Sequence, residues 1–260
     1  MSYLDDLFSL DGKVAVTIGA GGVLGGAMAT ALGRAGARVV VLDLDGDAAK
    51  AQADAIYGAA GTDAIGIGVD ATSDSDLEGA LEAIVEKWGR VDILLNAPGI
   101  NSGTPIFEIT REEWDKILAV NLTSYFLANR IFGKKMVEQG DGGSIINVSS
   151  ASSGPPLSKV FTYSITKAGI NNMTQFLARE WAPHKVRVNA VAPGFFPAEQ
   201  NRRLLTDERT ASIMGHTPMA RFGEPDELAG AVVWLAAEAA SSFVTGTLIR
   251  VDGGFTAMTI

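Results

Sequence analysis

Cysteine is absent from the chain, which excludes disulfides, thiolate nucleophiles and cysteine-held metals. Histidine is nearly absent: His184 and His216 are the two copies, and they show no paired spacing that would suggest a zinc site. Positive charge is also scarce. Twenty-one basic residues against 30 acidic ones leave a formal charge of -9, which gives a nucleic-acid backbone or an anionic membrane little to hold. A charge-free run long and apolar enough for a membrane is missing too: the least polar tract, Thr17 to Gly33, is glycine-rich and reads as strand, turn and buried helix. At the start, Asp5, Asp6 and Asp11 stand where a secretory signal needs a basic residue and an apolar core, so a cytoplasmic protein is expected.

What the chain does have is material for a core. Its 260 residues are 47% hydrophobic, which suits one large α/β domain spanning 1–260. Seven β-branched runs alternate with longer Ala/Leu-rich segments: "KVAVTI", "ARVVVLD", "DAIGIGVD", "VDILLNA", "GSIINVSS", "VRVNAVAP" and "TLIRVDGG". Parallel neighbours need crossovers, so the expected fold is a doubly wound, Rossmann-type sheet of seven largely parallel strands with helices on both faces. In such sheets ligands collect beyond the carboxyl ends of the strands.

The residues at those ends carry the functional signal. "IGAGGVLGG" closes the first run, with Gly19, Gly22 and Gly25 opening a helix through Val23 and Leu24. Glycines there allow a tight turn, and free amides at the helix start can hold a diphosphate; close helix-to-sheet packing would ask for the same small residues. Asp43 ends the second run eighteen residues beyond Gly25, near the interval expected for a carboxylate that accepts ribose hydroxyls. No Arg or Lys follows at once, so NAD is favoured over NADP; the alternative for Asp43 is a strand end or helix cap, a role Asp45 also fits. Asp70, with Ala71 beside it, suits either an adenine edge or an Asx turn. Asn96 and Gly99 lie where the fourth run ends, around Pro98, and Pro193, Gly194 and Phe196 follow the sixth.

Tyr163 and Lys167 are one helical turn apart in "TYSITKAGI". An ammonium there lowers the cost of a phenolate, so Tyr163 can exchange a proton with an alcohol or carbonyl near neutral pH. Ser150 ends the strand "GSIINVSS" thirteen residues earlier, and oxygen hydrogen bonding suits it better than nucleophilic attack, since no histidine lies nearby. Asn121, inside a long helical region, would anchor a water or a backbone carbonyl near Lys167, or be packed as an ordinary polar side chain. A substrate cover is expected at 195–223, with Phe195 for closure and Gln200, Asn201, Arg202 and His216 for polar contact; Arg202 and Arg203 also suit surface ion pairs. Asn101, Ser102 and Ser152 add polar contacts if their loops curl inward.

Together these segments resemble the short-chain dehydrogenase/reductase family across essentially the whole chain. "YSITK" matches its Y-x-x-x-K signature, "NVSS" its serine strand, "NAPG" its N-x-x-G segment and "LAVN" its helical asparagine. The resemblance implies Tyr163 as general acid/base, Ser150 polarising the substrate oxygen, Lys167 holding the nicotinamide ribose, and Asn121 in a water-linked relay. It also implies a homotetramer or homodimer. The chain departs from the family pattern at Ile18 and Val23 in the glycine turn, at Pro98, and at Ala198. "GGVLGGAMA", "PGFF", "HTPMARFGEP" and "FVTGTLIRVDGG" are closer to the mannonate oxidoreductase-like branch. The implied activity is NAD-dependent interconversion of a secondary alcohol and a ketone on a polar sugar, sugar acid or other anionic sugar. The alternatives are a retained-NAD epimerase or isomerase and a noncatalytic cofactor-binding protein.

Overall fold

The computed structural model describes residues 2–196 and 206–258. Seven strands form one sheet in the order β3-β2-β1-β4-β5-β6-β7: β1 Val14–Ile18, β2 Arg38–Asp43, β3 Ala64–Gly68, β4 Ile93–Asn96, β5 Gly143–Val148, β6 Val186–Pro193 and β7 Leu248–Val251. Each neighbouring pair is parallel, so all seven carboxyl ends share one edge. The seven runs read from the sequence are these strands. The order reverses between β1 and β4, where Ile18 pairs with Asn96, and this opens a crevice at that edge.

Alternation along the strands explains why both faces are covered. On β1, Val14, Val16 and Ile18 face one side and Ala15 the other; on β2, Val40 and Leu42 oppose Val39 and Val41. The first face receives α4 (Asp74–Trp88), α6 (Ser124–Gln139) and α7 (Phe161–Trp181), through Leu77, Ile84, Phe132, Met136 and Ala178. The second receives α2 (Val23–Arg34) and α3 (Gly46–Ala60), through Met28, Leu32, Ala53 and Ile56, together with Val232 and Leu235 of the helix Ala229–Ala236.

Side chains set several helix starts, beginning with Ser2, which caps α1 (Tyr3–Phe8) by accepting from the Asp5 amide. Asp45 caps α3 by accepting from the amides of Asp47 and Ala48, and Ser73 caps α4 by accepting from Asp76. The long helical region expected around Asn121 is interrupted. Helix α5 (Arg111–Leu118) passes through a π-helical turn, Ala119–Thr123, before α6 begins, so Asn121 sits where the backbone ladder is already broken. Among the described residues no helix is long and apolar enough to cross a membrane.

Candidate active site

The glycine turn after β1 is built by contact as much as by conformation. Gly19 has φ +72°, and a Cβ there would lie 2.8 Å from both the nitrogen and the Cα of Pro98. The turn therefore rests directly on the segment that follows β4. A Cβ on Gly25 would strike the Gly19 carbonyl oxygen. Gly22 is the residue before α2; a Cβ there would meet nothing nearer than Gly19 O at 3.7 Å. Val23 is half-exposed at the first position of α2, and Leu24 packs against the core.

Asp43 closes the other side of this turn. Its Oδ2 accepts the Gly21 amide at 2.9 Å and its Oδ1 the Asp45 amide at 3.2 Å. The cap of α3 belongs to Asp45 instead, so Asp43 stands at the crevice beside the glycine turn. Asp70 accepts both the amide and the hydroxyl of Thr72, at 2.8 and 2.7 Å, which makes it an Asx turn with Ala71 at its centre. Asn96 is turned away from the crevice: it is fully buried, and its amide donates to Asn147 Oδ1 at 3.0 Å.

The four residues of the reaction set converge from three elements. Ser150 follows β5 and precedes a short turn, Ala151–Ser153, and its Oγ accepts the Ser152 amide at 3.1 Å and the Ser152 hydroxyl at 3.2 Å. With both lone pairs taken, its own proton remains to be donated. Burial pushes the Tyr163 phenol pKa up, and the nearby Ser150 hydroxyl opposes the rise. Lys167 lies on the same face of α7, its Nζ 5.5 Å from the centre of the Tyr163 ring. Its Nζ donates to the Val148 carbonyl at 2.8 Å and to the Tyr125 hydroxyl at 3.3 Å. The side chain is 3% exposed without a carboxylate partner among the described residues, and burial pulls its pKa from 10.5 to about 7. Asn121 pairs with the backbone of Ile100 in both directions, donating to its carbonyl and accepting its amide at 2.8 Å each. The backbone carbonyl expected as an anchor for it is that of Ile100.

These residues fit a nicotinamide dinucleotide. Two protons of the Lys167 ammonium are used by protein oxygens, leaving a third. The bare face of Gly99 lies over this group: a Cβ there would be 3.8 Å from Lys167 Nζ and from Asn121 Oδ1. At the other end of the crevice stand the open start of α2 and the Asp43 carboxylate.

Beyond β6, Phe195 and Phe196 diverge. Phe195 packs edge-on against Phe255, with ring centres 5.1 Å apart, and His216 packs on the same ring at 4.8 Å. With Leu157, Ser158, Arg209 and Ser212 they line a pocket of about 350 Å³. Phe196 is instead buried in the core against Gly223, so a cofactor contact from it falls to its backbone. Pro193 ends β6, and Gly194 is held against the backbone of Asp252, which a Cβ would meet at 2.6 Å. Gln200, Asn201 and Arg202, with Arg203 and Ala198, lie outside the described residues. Ser152 reaches the reaction set through Ser150, whereas Asn101 and Ser102 hydrogen-bond within their own loop: Asn101 accepts the Ser102 amide, and Ser102 joins Thr104, which donates to Glu113.

Three residues near this site escaped the sequence reading. Tyr125 had a signal, being one helical turn beyond Asn121 on the same face. Arg209 also had one, lying inside the cover expected at 195–223, whereas Phe255 had none, because it joins the pocket from a segment outside that range.

Known proteins share this fold over nearly the whole chain. A family model described as Enoyl-(Acyl carrier protein) reductase matches residues 19–256. The uncharacterised oxidoreductase UxuB of Bacillus subtilis is 39% identical, covering 96% of each chain. The 5-keto-D-gluconate 5-reductase of Escherichia coli K12 is 34% identical over 96% of this chain and 98% of its own. Among solved structures, a gluconate 5-dehydrogenase from Burkholderia cenocepacia in complex with NADP and tartrate superposes with TM-score 0.94 at 31% identity, covering 99% of this chain and 100% of its own. A protein from Haemophilus influenza assigned as a D-mannonate oxidoreductase, with bound NAD, gives 0.91 at 32% identity, covering 98% and 99%. With matches of this extent on top of the Ser150, Tyr163 and Lys167 arrangement, the chain belongs to the short-chain dehydrogenase/reductase family.

Proposed function

We propose that the protein is an NAD-dependent dehydrogenase that interconverts a secondary alcohol and a ketone on a polar sugar or sugar acid. The observation that carries the reading is the Tyr163 phenol set beside the Ser150 hydroxyl and the buried Lys167 ammonium. In the oxidative direction Tyr163 takes the hydroxyl proton, and Ser150 donates to the substrate oxygen as it gains carbonyl character. In reduction Tyr163 returns the proton. Lys167 favours the phenolate by its charge and offers its remaining proton to a ribose hydroxyl. A bound nicotinamide supplies the hydride chemistry; Gly19, Gly22 and the start of α2 would hold its diphosphate and Asp43 its adenosine ribose.

NAD is favoured because the Asp43 carboxylate faces the turn where a ribose phosphate would have to sit. Relatives carry both cofactors, NADP in the gluconate 5-dehydrogenase and NAD in the Haemophilus protein, so their structures support nicotinamide dinucleotide use and the local charge supports NAD. The relatives' names support a sugar-acid substrate, and the pocket beside Phe195 offers Arg209 and His216 to such a molecule. We read the half-exposed Phe126, Phe161, Ile165 and Phe176 on α6 and α7 as the face on which copies of the chain assemble.

The test follows nicotinamide absorbance at 340 nm while the protein is offered NAD or NADP with sugar acids, neutral sugars and polyols. The expected result is NAD-dependent turnover of a sugar acid, with kcat at least 1,000-fold lower, by order of magnitude, in Tyr163→Phe. Net turnover rules out a retained-cofactor isomerase. Tight cofactor binding without turnover of any of these substrates would overturn the reading.

A further inference from the structure

Lys167 lies between two phenols. Tyr163 is on one side, and on the other is Tyr125 from α6, fully buried, with its ring centre 5.0 Å from Nζ. The Tyr125 hydroxyl accepts from Lys167 at 3.3 Å while donating towards the carbonyls of Val148 at 2.9 Å and Pro98 at 3.2 Å. One side chain therefore ties together the ends of β5 and β4 and the ammonium. Its own proton is committed to backbone oxygen and its location is dry, so it does not pass protons to solvent. Burial also raises its pKa well above the ordinary phenol value, which keeps it neutral.

We propose that Tyr125 is a positioning residue for Lys167, acting as the neutral acceptor that holds a buried ammonium in place where no carboxylate among the described residues does so. The proposal rests on the redox reading above. Other charges near α7 are engaged elsewhere: Arg187 on β6 donates to the Leu235 carbonyl, Glu113 on α5 accepts from Thr104, and Arg130 on α6 pairs with Asp74. His184, in the turn after α7, and these groups form no ion pair with Lys167 among the described residues. Tyr163 and Tyr125 are thus the titratable neighbours that face it.

Tyr125→Phe removes the acceptor and keeps the ring. An ammonium with one acceptor fewer gives up its proton at lower pH, so its support for the Tyr163 phenolate weakens and that phenol ionises at higher pH. The expected result is a kcat for alcohol oxidation about tenfold lower, with its pH midpoint moved up by roughly one unit. In a Lys167→Met background the same change should have no further effect on activity, because the two residues act as one unit. An unmoved pH midpoint, or losses that multiply in the double variant, would overturn the proposal. Should Tyr125→Phe fail to fold, NMR of the unaltered protein decides: an exchange-protected Lys167 Nζ resonance with cross-peaks to the Tyr125 ring upholds it, and a solvent-exchanging Nζ without them overturns it. If no alcohol is oxidised at all, the redox reading fails while the NMR arm still decides the role of Tyr125.

Discussion

The two halves of the cleft are built from different materials. On the side of β1, β2 and β4 the functional positions are fixed by backbone contact: Gly19 lies on Pro98, Gly25 on Gly19, and the Gly21 amide on Asp43. Beyond β6 they are fixed by side chains, with Phe195 and His216 leaning on Phe255 and Arg209 donating to the Ser158 carbonyl at 3.2 Å. A wall of backbone resists substitution and can hold one unchanging ligand. A wall of exchangeable side chains can be altered to select another molecule without disturbing the chemistry between them.

Gly19→Ala would break the first half most severely. The substitution combines a positive φ with a contact of 2.8 Å to Pro98, so a stability loss of about 3 kcal/mol is expected, with cofactor affinity falling at least tenfold. Chemical denaturation and cofactor titration measure the two effects. Equal stability would show that the backbone wall yields.

The seam between the halves responds in the opposite direction. Lys167→Met removes a buried, carboxylate-free ammonium whose pKa is near 7 when folded and 10.5 as a free side chain. Activity should fall to a small but measurable remainder, about 100-fold or more below wild type, while stability rises by a few kcal/mol at pH 7. Between pH 10.5 and 7 the unfolded wild-type chain binds the proton that the folded one refuses, so wild-type stability falls as pH is lowered across that window. The variant's advantage in melting temperature should therefore grow from pH 10 down to pH 7 and then level off. A constant difference across that range would place the lysine in water.

The smallest effect is expected on the side-chain wall. Arg209→Gln should raise KM for a sugar acid roughly tenfold while leaving KM for the cofactor and the melting temperature unchanged. A parallel rise in cofactor KM would erase the distinction between the halves.

Several parts of this architecture could be read directly from the residues. Alternation and β-branching marked each of the seven strands, and short punctuated runs led to a parallel sheet because its strands are buried on both faces. Gly19, Asp43, Ser150, Tyr163 and Lys167 were legible because strand ends and a helical turn give them fixed intervals. Asn121 was legible as a polar residue in a helix, but its backbone partner, Ile100, lies 21 residues away and left no periodic mark. Asn96 and Phe196 stood at promising strand ends; their side chains turned into the core because the neighbours there, Asn147 and Gly223, had room for them.

The sequence by itself determined the strands, the helix that carries Tyr163 and Lys167, and the chemical identity of the reacting groups, since those follow from local periodicity and functional-group chemistry. Only the tertiary structure decided that Tyr125 lies under Lys167, that Gly19 rests on Pro98, and that Arg209 and Phe255 share a pocket with Phe195. Each of those contacts joins segments whose separation along the chain carries no period, so packing alone brings them together.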